Sequence, residues 1–422
     1  MRGARKGDGS LGEWRMPARF GGLAVVALLL ATLACARKAG EEEIVFWQFW
    51  PADVVQPILD RFEKQHPGIK VRMEQLTWQA GLEKITAAIA SDNVPDLCEM
   101  GSTFMPRMLH SGALADWSGG VGDLKQSLTG WEICSIGDKS YGMPWLLGTR
   151  ALFYNKTLFA RAGLDSTKPP ETWDELKDAA TAVHKLGGDV RGYGVQAGER
   201  YVLFKKFMPF AWGNGGRVLS DDLAQAVFDS RQNREALEFY LSLRPVGMVD
   251  HQDALDREFK EGRLGLEISG GWLIKAIARD APGLRYGVAL VPAPAQDRGT
   301  HASFAGGEVL VSFNASKHKQ AALTLARFLV QPENALTLAA SAKSVQPAAV
   351  GTDTTAYYRE HPDEQVLVRQ LETAVPTPNH PAWVEMEAAI EDEVEQALLD
   401  KKTATRAVAD AQRRLSELVG KK

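Results

Sequence analysis

The stretch that decides the fold of this 422-residue chain is YGMPWLLGTRALFYNKTLF, residues 141–159. A loop at its start leads into a strand predicted over residues 147–154, and a helix follows. The strand is apolar almost throughout, as buried strands are, but Thr149 and Arg150 interrupt its middle. A guanidinium group inside such a strand needs a partner or a cavity. The pattern indicates either an edge strand from which Arg150 reaches solvent, or a strand that passes a cleft between two lobes.

Two motifs around this stretch favour the strand between lobes. A Gly-x-Pro-Trp loop precedes the strand, which ends in Tyr-Asn-Lys at residues 154–156, and Pro-x-Thr-Trp-x-Glu-Leu opens the next helix at residues 170–176. In order and spacing, these motifs resemble those of the family 1 extracellular solute-binding proteins, the maltose-binding-like group that serves sugar ABC importers. The resemblance covers about residues 44–420. It implies an α/β, two-lobe periplasmic-binding-protein-like fold of type II, with three interlobe crossings and a cleft between the lobes.

The composition is that of a globular protein, with 45% hydrophobic residues and a formal net charge of −4. The length suffices for two domains with hydrophobic cores. The lack of a basic excess argues against a nucleic-acid partner. Eleven Trp residues are compatible with a cleft lined by half-exposed rings, although packing alone also uses Trp. The sequence has no Cys or His spacing typical of a metal site, and we expect no cofactor.

The N-terminus has the pattern of a targeting segment. Two arginines precede the apolar run at residues 23–33, which is too short to span a bilayer as a mature helix. We interpret residues 1–35 as a signal peptide, with Met16 as an alternative start and Cys35 resembling a lipoprotein cleavage site. Acylation of Cys35 would anchor the exported protein to a membrane, and residues 36–43 would form a tether. The alternative is that the signal is cleaved without lipid attachment.

The other two cysteines, Cys98 and Cys134, leave their state open. In an exported protein they could form a disulfide, and free buried thiols are the alternative.

After the tether, the pattern predicts β-α-β-α-β, which is typical of a parallel α/β sheet. Ligands of such sheets bind outside the carboxyl ends of the strands. We therefore expect ligand-binding residues at the strand ends of this first lobe, and the resemblance places several of them there. The candidates are Trp47, Gln48, Trp50, Trp78, Glu99, Ser102 and Thr103. For Ser102 and Thr103, the alternative is a helix cap.

The resemblance also assigns the lobes and the remaining candidates. Residues 44–150 and 304–344 would form the first lobe, and residues 151–303 and 345–422 the second, with the third crossing at residues 344–348. The candidates in motifs similar to those of the family are Arg150, Trp212, Asn214, Gly271, Trp272, Gly307, Glu308 and Trp383.

These residue types suit a sugar, which presents apolar C–H faces and a ring of hydroxyls. The resemblance favours Trp212, Trp272 and Trp383 as stacking platforms. Carboxylates and Arg make charge-assisted hydrogen bonds to hydroxyls. We expect Asn155 to cap the helix that follows the crossing strand rather than to contact ligand.

We therefore predict an exported, monomeric substrate-binding component of an ABC importer. It would bind a carbohydrate, a di- or oligosaccharide in view of its many Trp residues, and deliver it by hinge closure to a membrane permease with its ATPase. One alternative is an exported glycoside hydrolase, which would need a carboxylate pair such as Glu99 and Glu308. Others are a sensor that presents its closed form to a membrane receptor, and a binding protein for a non-sugar solute such as a polyol phosphate.

Overall fold

The computed structural model describes residues 42–343 and 345–420, which form two α/β lobes around two separate sheets. The predicted signal peptide, Cys35 and residues 36–41 lie outside the described residues. The predicted tether included Glu42 and Glu43, but these residues begin the first strand and pair with Ile69 and Lys70. The two-lobe architecture predicted above is confirmed.

The large sheet has seven strands in the order β13-β6-β12-β3-β1-β2, and β14 pairs with β12 outside this path. Its strands are β1 Glu42–Gln48, β2 Ile69–Gln75, β3 Leu97–Gly101, β6 Met143–Gly148, β12 Ser303–Val311, β13 Gln346–Pro347 and β14 Ala374–Pro376. Strand β1 is parallel to β2 and β3, whereas β12 is antiparallel to β3 and β6. A separate hairpin consists of β4 Ser135–Ile136 and β5 Lys139–Ser140.

Helices cover both faces of the large sheet. They are α1 Ala52–Gln65, α2 Trp78–Ala90, α3 Met105–His110, α10 Lys319–Leu329 and α11 Pro332–Ala342. Alternate residues of each strand point to opposite faces. Thus Phe46 packs with α1, α10 and α11, while its neighbour Trp47 packs on the opposite face with α2 and α3.

The small sheet has five strands in the order β11-β7-β10-β8-β9. Its strands are β7 Ala151–Asn155, β8 Arg191–Gln196, β9 Gly247–Asp250, β10 Leu264–Ser269 and β11 Tyr286–Ala289. The helices around it are α4 Lys156–Arg161, α5 Trp173–His184, α6 Leu203–Gly213, α7 Arg231–Ser242, α8 Gln252–Lys260, α9 Trp272–Asp280, α13 Pro362–Leu371, α14 Trp383–Leu398 and α15 Ala404–Val419, and the short helix α12 Ala356–Glu360 precedes α13.

Local signals in the sequence explain two of these helix starts. Thr172 and Glu175 form a capping box at the start of α5, in which each side chain accepts a hydrogen bond from the backbone N–H of the other. Asn155 Oδ1 accepts from the backbone N–H groups of Thr157 and Leu158 at 3.0 and 3.1 Å, so it caps α4 as predicted.

The strand predicted over residues 147–154 is two strands in two sheets, β6 and β7, joined at Thr149 and Arg150. The Ser303 hydroxyl joins this crossing to the start of β12. It donates to the Arg150 carbonyl oxygen at 2.7 Å and accepts from Thr149 Oγ1 at 3.1 Å. The interpretation of the stretch as a lobe crossing, rather than an edge strand, is confirmed.

The third crossing begins later than predicted. Gln346 and Pro347 were assigned to the second lobe, but they pair with Leu147 and Leu146 and extend the large sheet. The chain reaches the small sheet only with α13, where Leu367 packs in the same cluster as Phe153. Backbone pairing decides this boundary, and the short strand has no sequence pattern that would reveal it.

Candidate ligand-binding cleft

Two carboxylates mark the first-lobe wall of the candidate site. Glu308 pairs in register with Gly101, and Glu99 lies two residues before Gly101 on β3, so both side chains are on one face of the sheet. Glu99 Oε2 accepts from the backbone N–H of Phe49 at 2.7 Å. Glu99 Oε1 and Glu308 Oε2 are buried and have no hydrogen-bond partner among the described residues. Buried acceptors without partners are candidates for ligand contact.

Arg150 lies at the crossing between the two lobes. Its guanidinium carbon is 4.6 Å from the centre of the Trp272 ring and 5.7 Å from that of Phe304. Its Nη1 donates to the Thr149 carbonyl oxygen at 3.0 Å, while its buried Nε has no partner in the described part of the chain. The guanidinium therefore lies beside two aromatic rings and has hydrogen-bond donors that remain unused.

The second-lobe wall is built around Trp272, at the start of α9. Its indole N–H donates to Asp256 Oδ2 at 2.8 Å. Gly270 is required beside it, because a Cβ there would lie 1.9 Å from the indole ring. Since Arg150 lies over the ring, the predicted role of Trp272 as a sugar-stacking platform would require the guanidinium to share or leave that face. Gly271 precedes the helix with a φ of −59°, which any residue adopts.

Two lysines that the sequence analysis missed belong to this site. Lys205 Nζ is 5.1 Å from the centre of the Phe304 ring, and Lys206 Nζ is 5.1 Å from that of Trp272. Lys206 is buried and donates to the Ile268 carbonyl oxygen at 2.8 Å. A signal was available, because two adjacent lysines interrupt the apolar run at residues 201–210, where both cannot lie on a solvent-exposed face.

Burial and mutual interaction shift the titration of these groups. Burial first, and then the Glu308 carboxylate, raises the pKa of Glu99 well above its usual range. Burial raises the pKa of Glu308 to about 7, although Arg150 opposes the shift. Burial lowers the pKa of Arg150 to about 10 and that of Lys206 to about 7. The Glu308 carboxylate therefore opposes ionisation of Glu99, so the two carboxyl groups do not ionise independently.

Trp78 is the most exposed of the predicted aromatic residues, at 46%. Its ring stacks on Phe49, with centroids 4.1 Å apart and an interplanar angle of 10°. A Cβ on Gly101 would lie 3.0 Å from the indole, so the ring lies over the strand that carries Glu99. Trp50 is half-buried on the loop after β1, and its indole N–H faces the Glu99 carboxyl without forming a hydrogen bond of normal geometry. Both indoles therefore remain candidates for ligand contact.

Three of the predicted first-lobe residues are engaged by the protein itself. Gln48 is fully buried; it accepts from the backbone N–H of Trp50 and contacts Met73 Sδ at 3.3 Å. Ser102 and Gly307 bridge β3 and β12, with the Ser102 N–H donating at 2.8 Å and the Gly307 N–H donating back to the Ser102 hydroxyl at 3.3 Å. Thr103, which follows Ser102, is also buried, but its hydroxyl has no hydrogen-bond partner among the described residues.

Trp47 does not face this cleft. It is the register partner of Cys98, so its side chain lies on the opposite sheet face from Glu99. There it is 8% exposed and lines a groove of about 440 Å³, with the Lys84 ammonium 4.4 Å from its ring centre. The prediction used only the position of Trp47 near the strand end, and the alternation of side chains decides against it.

Trp383 is also not placed as predicted. It is fully buried in the second-lobe core, with its ring edge-on to Phe204 at 5.5 Å and its N–H donating to Glu387 at 3.0 Å. It cannot offer a stacking face in this arrangement. The half-buried Trp212 is edge-on to the same Phe204 ring at 5.7 Å, and it lines, together with Trp383, a groove of about 500 Å³ that also includes Glu132.

The Asn214 side chain bonds to α7 and not to the residues around Arg150. Its Nδ2 donates to the Gln232 carbonyl oxygen and to Glu235 Oε2, both at 3.0 Å, so it fastens the end of α6 to α7.

Cys98 and Cys134 are both buried free thiols, which settles the alternative left open by the sequence. Within residues 42–343 and 345–420, no group of three or more His, Cys, Asp or Glu side chains is arranged to hold a metal ion. In the same residues no helix is both long and apolar enough to cross a bilayer.

Comparison with known proteins agrees with this geometry. The model of the bacterial extracellular solute-binding proteins matches residues 51–336. The chain belongs to this family. A binding protein of Brucella abortus is 28% identical over 321 residues, covering 73% of this chain and 76% of its own. The glycerol-3-phosphate-binding periplasmic protein UgpB of Escherichia coli is 24% identical, covering 93% of this chain and 96% of its own.

Solved structures support the same fold. A solute-binding protein of Thermotoga lettingae bound with α-D-tagatose has a TM-score of 0.80 and 25% identity, and covers 90% of this chain and all of its own. A cyclic α-maltosyl-1,6-maltose binding protein of Arthrobacter globiformis has a TM-score of 0.79 and 27% identity, and covers 90% of this chain and 99% of its own. The predicted resemblance to this family is confirmed. Membership in an extracellular family also confirms that the protein is exported.

Proposed function

We propose that this protein is the substrate-binding component of an ABC importer, and that it binds a carbohydrate in the cleft between its lobes. The single observation that carries the proposal is the set of unpartnered polar atoms at the Arg150 crossing and on the large sheet beside it. Glu99 Oε1 and Glu308 Oε2 belong to the large sheet, and Arg150 Nε lies at the crossing itself. Sugar hydroxyls donate and accept hydrogen bonds, so they can satisfy carboxylates and a guanidinium together.

Family membership and the sugar-bound neighbours support a solute that is transported rather than converted. We propose binding without turnover, although the two carboxylates leave the hydrolase alternative to experiment. A polyol phosphate is the second candidate solute, since UgpB is among the similar proteins and Arg150 has Lys205 and Lys206 beside it. Of the predicted residues, we retain Trp50, Trp78, Glu99, Thr103, Arg150, Trp272 and Glu308 as ligand contacts.

Delivery would follow from closure of the lobes around the solute. Contacts between the lobes are present outside the site: the ring of Phe104 is edge-on to that of Tyr201 at 6.0 Å, and Arg107 forms an ion pair with Glu385. A solute that touches both lobes shifts the equilibrium toward the closed form by its differential affinity. Moving that equilibrium from 1:99 to 99:1 requires about 5.5 kcal/mol, which several hydrogen bonds and stacking contacts can supply.

We further propose that the closed form docks on a membrane permease with its ATPase, that the protein is a monomer, and that Cys35 carries a lipid anchor. Metabolic labelling with a radioactive fatty acid tests the anchor. Label retained by the natural sequence and lost in Cys35→Ser would support it, while an unlabelled mature protein would contradict it.

Calorimetric titration of the mature protein with mono-, di- and oligosaccharides tests the binding function, after a thermal-shift screen. We expect one-to-one binding of at least one sugar and no release of reducing ends during prolonged incubation. Turnover would favour the hydrolase. A flat response to every neutral and anionic sugar or polyol would overturn the proposed function.

A further inference from the structure

Arg150 and Lys205 are half-buried cations, and neither forms an ion pair within the described residues. The Lys205 ammonium has no hydrogen bond there either; its contact is with the face of Phe304 at 5.1 Å. The Arg150 guanidinium lies 5.7 Å from the same ring centre and has one hydrogen bond, to the Thr149 carbonyl oxygen. Buried charges in proteins are normally paired or hold a ligand.

Several carboxyl groups around these cations already accept hydrogen bonds from other groups, although Glu308 Oε2 and Glu387 Oε1 have no partner among the described residues. Asp256 accepts from Trp272, from Gln252 at 2.6 Å and from the Ser269 hydroxyl at 3.1 Å. Glu391 accepts from two backbone N–H groups at 3.1 Å. Glu387, which lies on α14, accepts a hydrogen bond from the Trp383 indole N–H.

Protonation further reduces the negative charge available to the cations. Burial raises the pKa of Glu387, and burial together with Glu387 raises the pKa of Glu391 to about 7. The pKa of Glu308 is raised to about 7 and that of Glu99 is also raised, for the reasons given above. At neutral pH the carboxyl groups therefore offset the cations only in part.

We propose that the transported solute carries an anionic substituent, a carboxylate or a phosphate, which binds between Arg150 and Lys205 beside the ring of Phe304. This inference rests on the proposed function and specifies the solute class of the same cleft. Arg150 offers unused donors beside two aromatic rings, and a planar guanidinium can donate to two oxygens of one anion. Glu99 and Glu308 would accept hydrogen bonds from hydroxyl groups on the neutral part of the solute. These hydrogen bonds would fix the orientation of the solute.

The test compares matched neutral and anionic solutes by calorimetric titration of the mature protein. The pairs are glucose with glucuronate, glucose with glucose 6-phosphate, maltose with its uronate, and glycerol with glycerol 3-phosphate. We expect one anionic member to bind at least ~10-fold more tightly than its neutral partner, with the advantage falling as salt is raised. The carboxylate and phosphate arms tell the two anions apart.

The variant Lys205→Met removes one charge and no hydrogen bond, so we expect it to fold and to lose most of the preference for the anionic member. Arg150→Lys keeps a charge but loses the planar donors, and provides a second measurement if the first variant is unstable. The control is Lys177→Met, an exposed position on α5. Equal or tighter binding of the neutral members, or an unchanged preference in Lys205→Met, would overturn the anionic inference and leave the binding function standing. If none of these solutes binds, both the anionic inference and the proposed binding function are overturned.

Discussion

Glu99 and Glu308 lie on one face of two antiparallel strands, with Gly101 as the register partner of Glu308. The chain separates them by 209 positions, yet each leaves one buried carboxylate oxygen without a partner. The absence of a side chain at Gly101 leaves the Trp78 ring over this strand, so an aromatic surface and the carboxyl pair share one wall. This relationship underlies the first two predictions.

The stability of the ligand-free protein should fall with rising pH because of Glu308. Its folded-state pKa of about 7 lies above the ordinary 4.5, so protonation stabilises the fold fully below 4.5 and that contribution is lost as pH rises to about 7. In Glu308→Gln we expect a shallower decline, by roughly 1–3 kcal/mol across this window. Urea unfolding at several pH values measures it. Because the pKa values of Glu99 and Glu391 are also raised, the stability of the variant should still fall somewhat with pH. A pH dependence of stability identical to that of the natural protein would contradict the assignment.

Trp78→Ala should weaken solute binding by about 10-fold, because a half-exposed stacking ring contributes on the order of 0.5–1.5 kcal/mol beyond its burial. Titration with the solute identified in the screen measures the change. Trp78→Phe, which keeps an aromatic face above Phe49, is the control and should retain most of the affinity. Full affinity in the Ala variant would remove Trp78 from the site.

Trp383→Ala should behave in the opposite way. Its ring is fully buried against Phe204, so its loss should destabilise the protein by about 3–5 kcal/mol. Denaturant unfolding measures the stability, and titration at low temperature measures the affinity of the folded fraction. If affinity falls more than ~10-fold while stability is unchanged, the predicted stacking role would be restored and the buried placement refuted.

Gly307→Ala should destabilise the sheet at the crossing, because a Cβ would lie 2.3 Å from the Leu146 carbonyl oxygen. We expect a loss of roughly 1–3 kcal/mol in denaturant unfolding. Gly148→Ala is the matched control on the neighbouring strand, where the nearest atom, in Val345, is 3.8 Å from the added Cβ. Equal stabilities of the two variants would show that the close approach is relieved at little cost.

The ion pair between Arg107 and Glu385 should favour the closed form without touching the solute. Because it is solvent-exposed, we expect Arg107→Ala to weaken binding only about 2- to 5-fold, as a pair worth up to ~1 kcal/mol would. The reversed pair, Arg107→Glu with Glu385→Arg, should restore affinity. An effect of Arg107→Ala that persists in the reversed pair would argue that the charges act by another route.

The sequence determined the architecture because local patterns carry it. The break at Thr149 and Arg150 in an apolar strand left a lobe crossing and an edge strand open, and the order and spacing of the flanking motifs decided for the crossing; the Thr172 to Glu175 motif marked a helix start. Both signals depend on neighbours in the chain, such as hydrophobic period and side chain to backbone hydrogen bonds. Arg150 was singled out for the same reason, since a charge in a buried strand stands out without any tertiary information.

Only the tertiary structure decided which side chains share the cleft. Trp47 and Glu99 both lie within two residues of the carboxyl end of their strands, yet strand alternation and register place them on opposite faces. Trp383 matches a family motif but fills the core, whereas Lys205 matches none and lies beside Phe304. A cleft between lobes is assembled from segments far apart in the chain, so the faces of its residues follow from sheet pairing and helix packing rather than from local sequence.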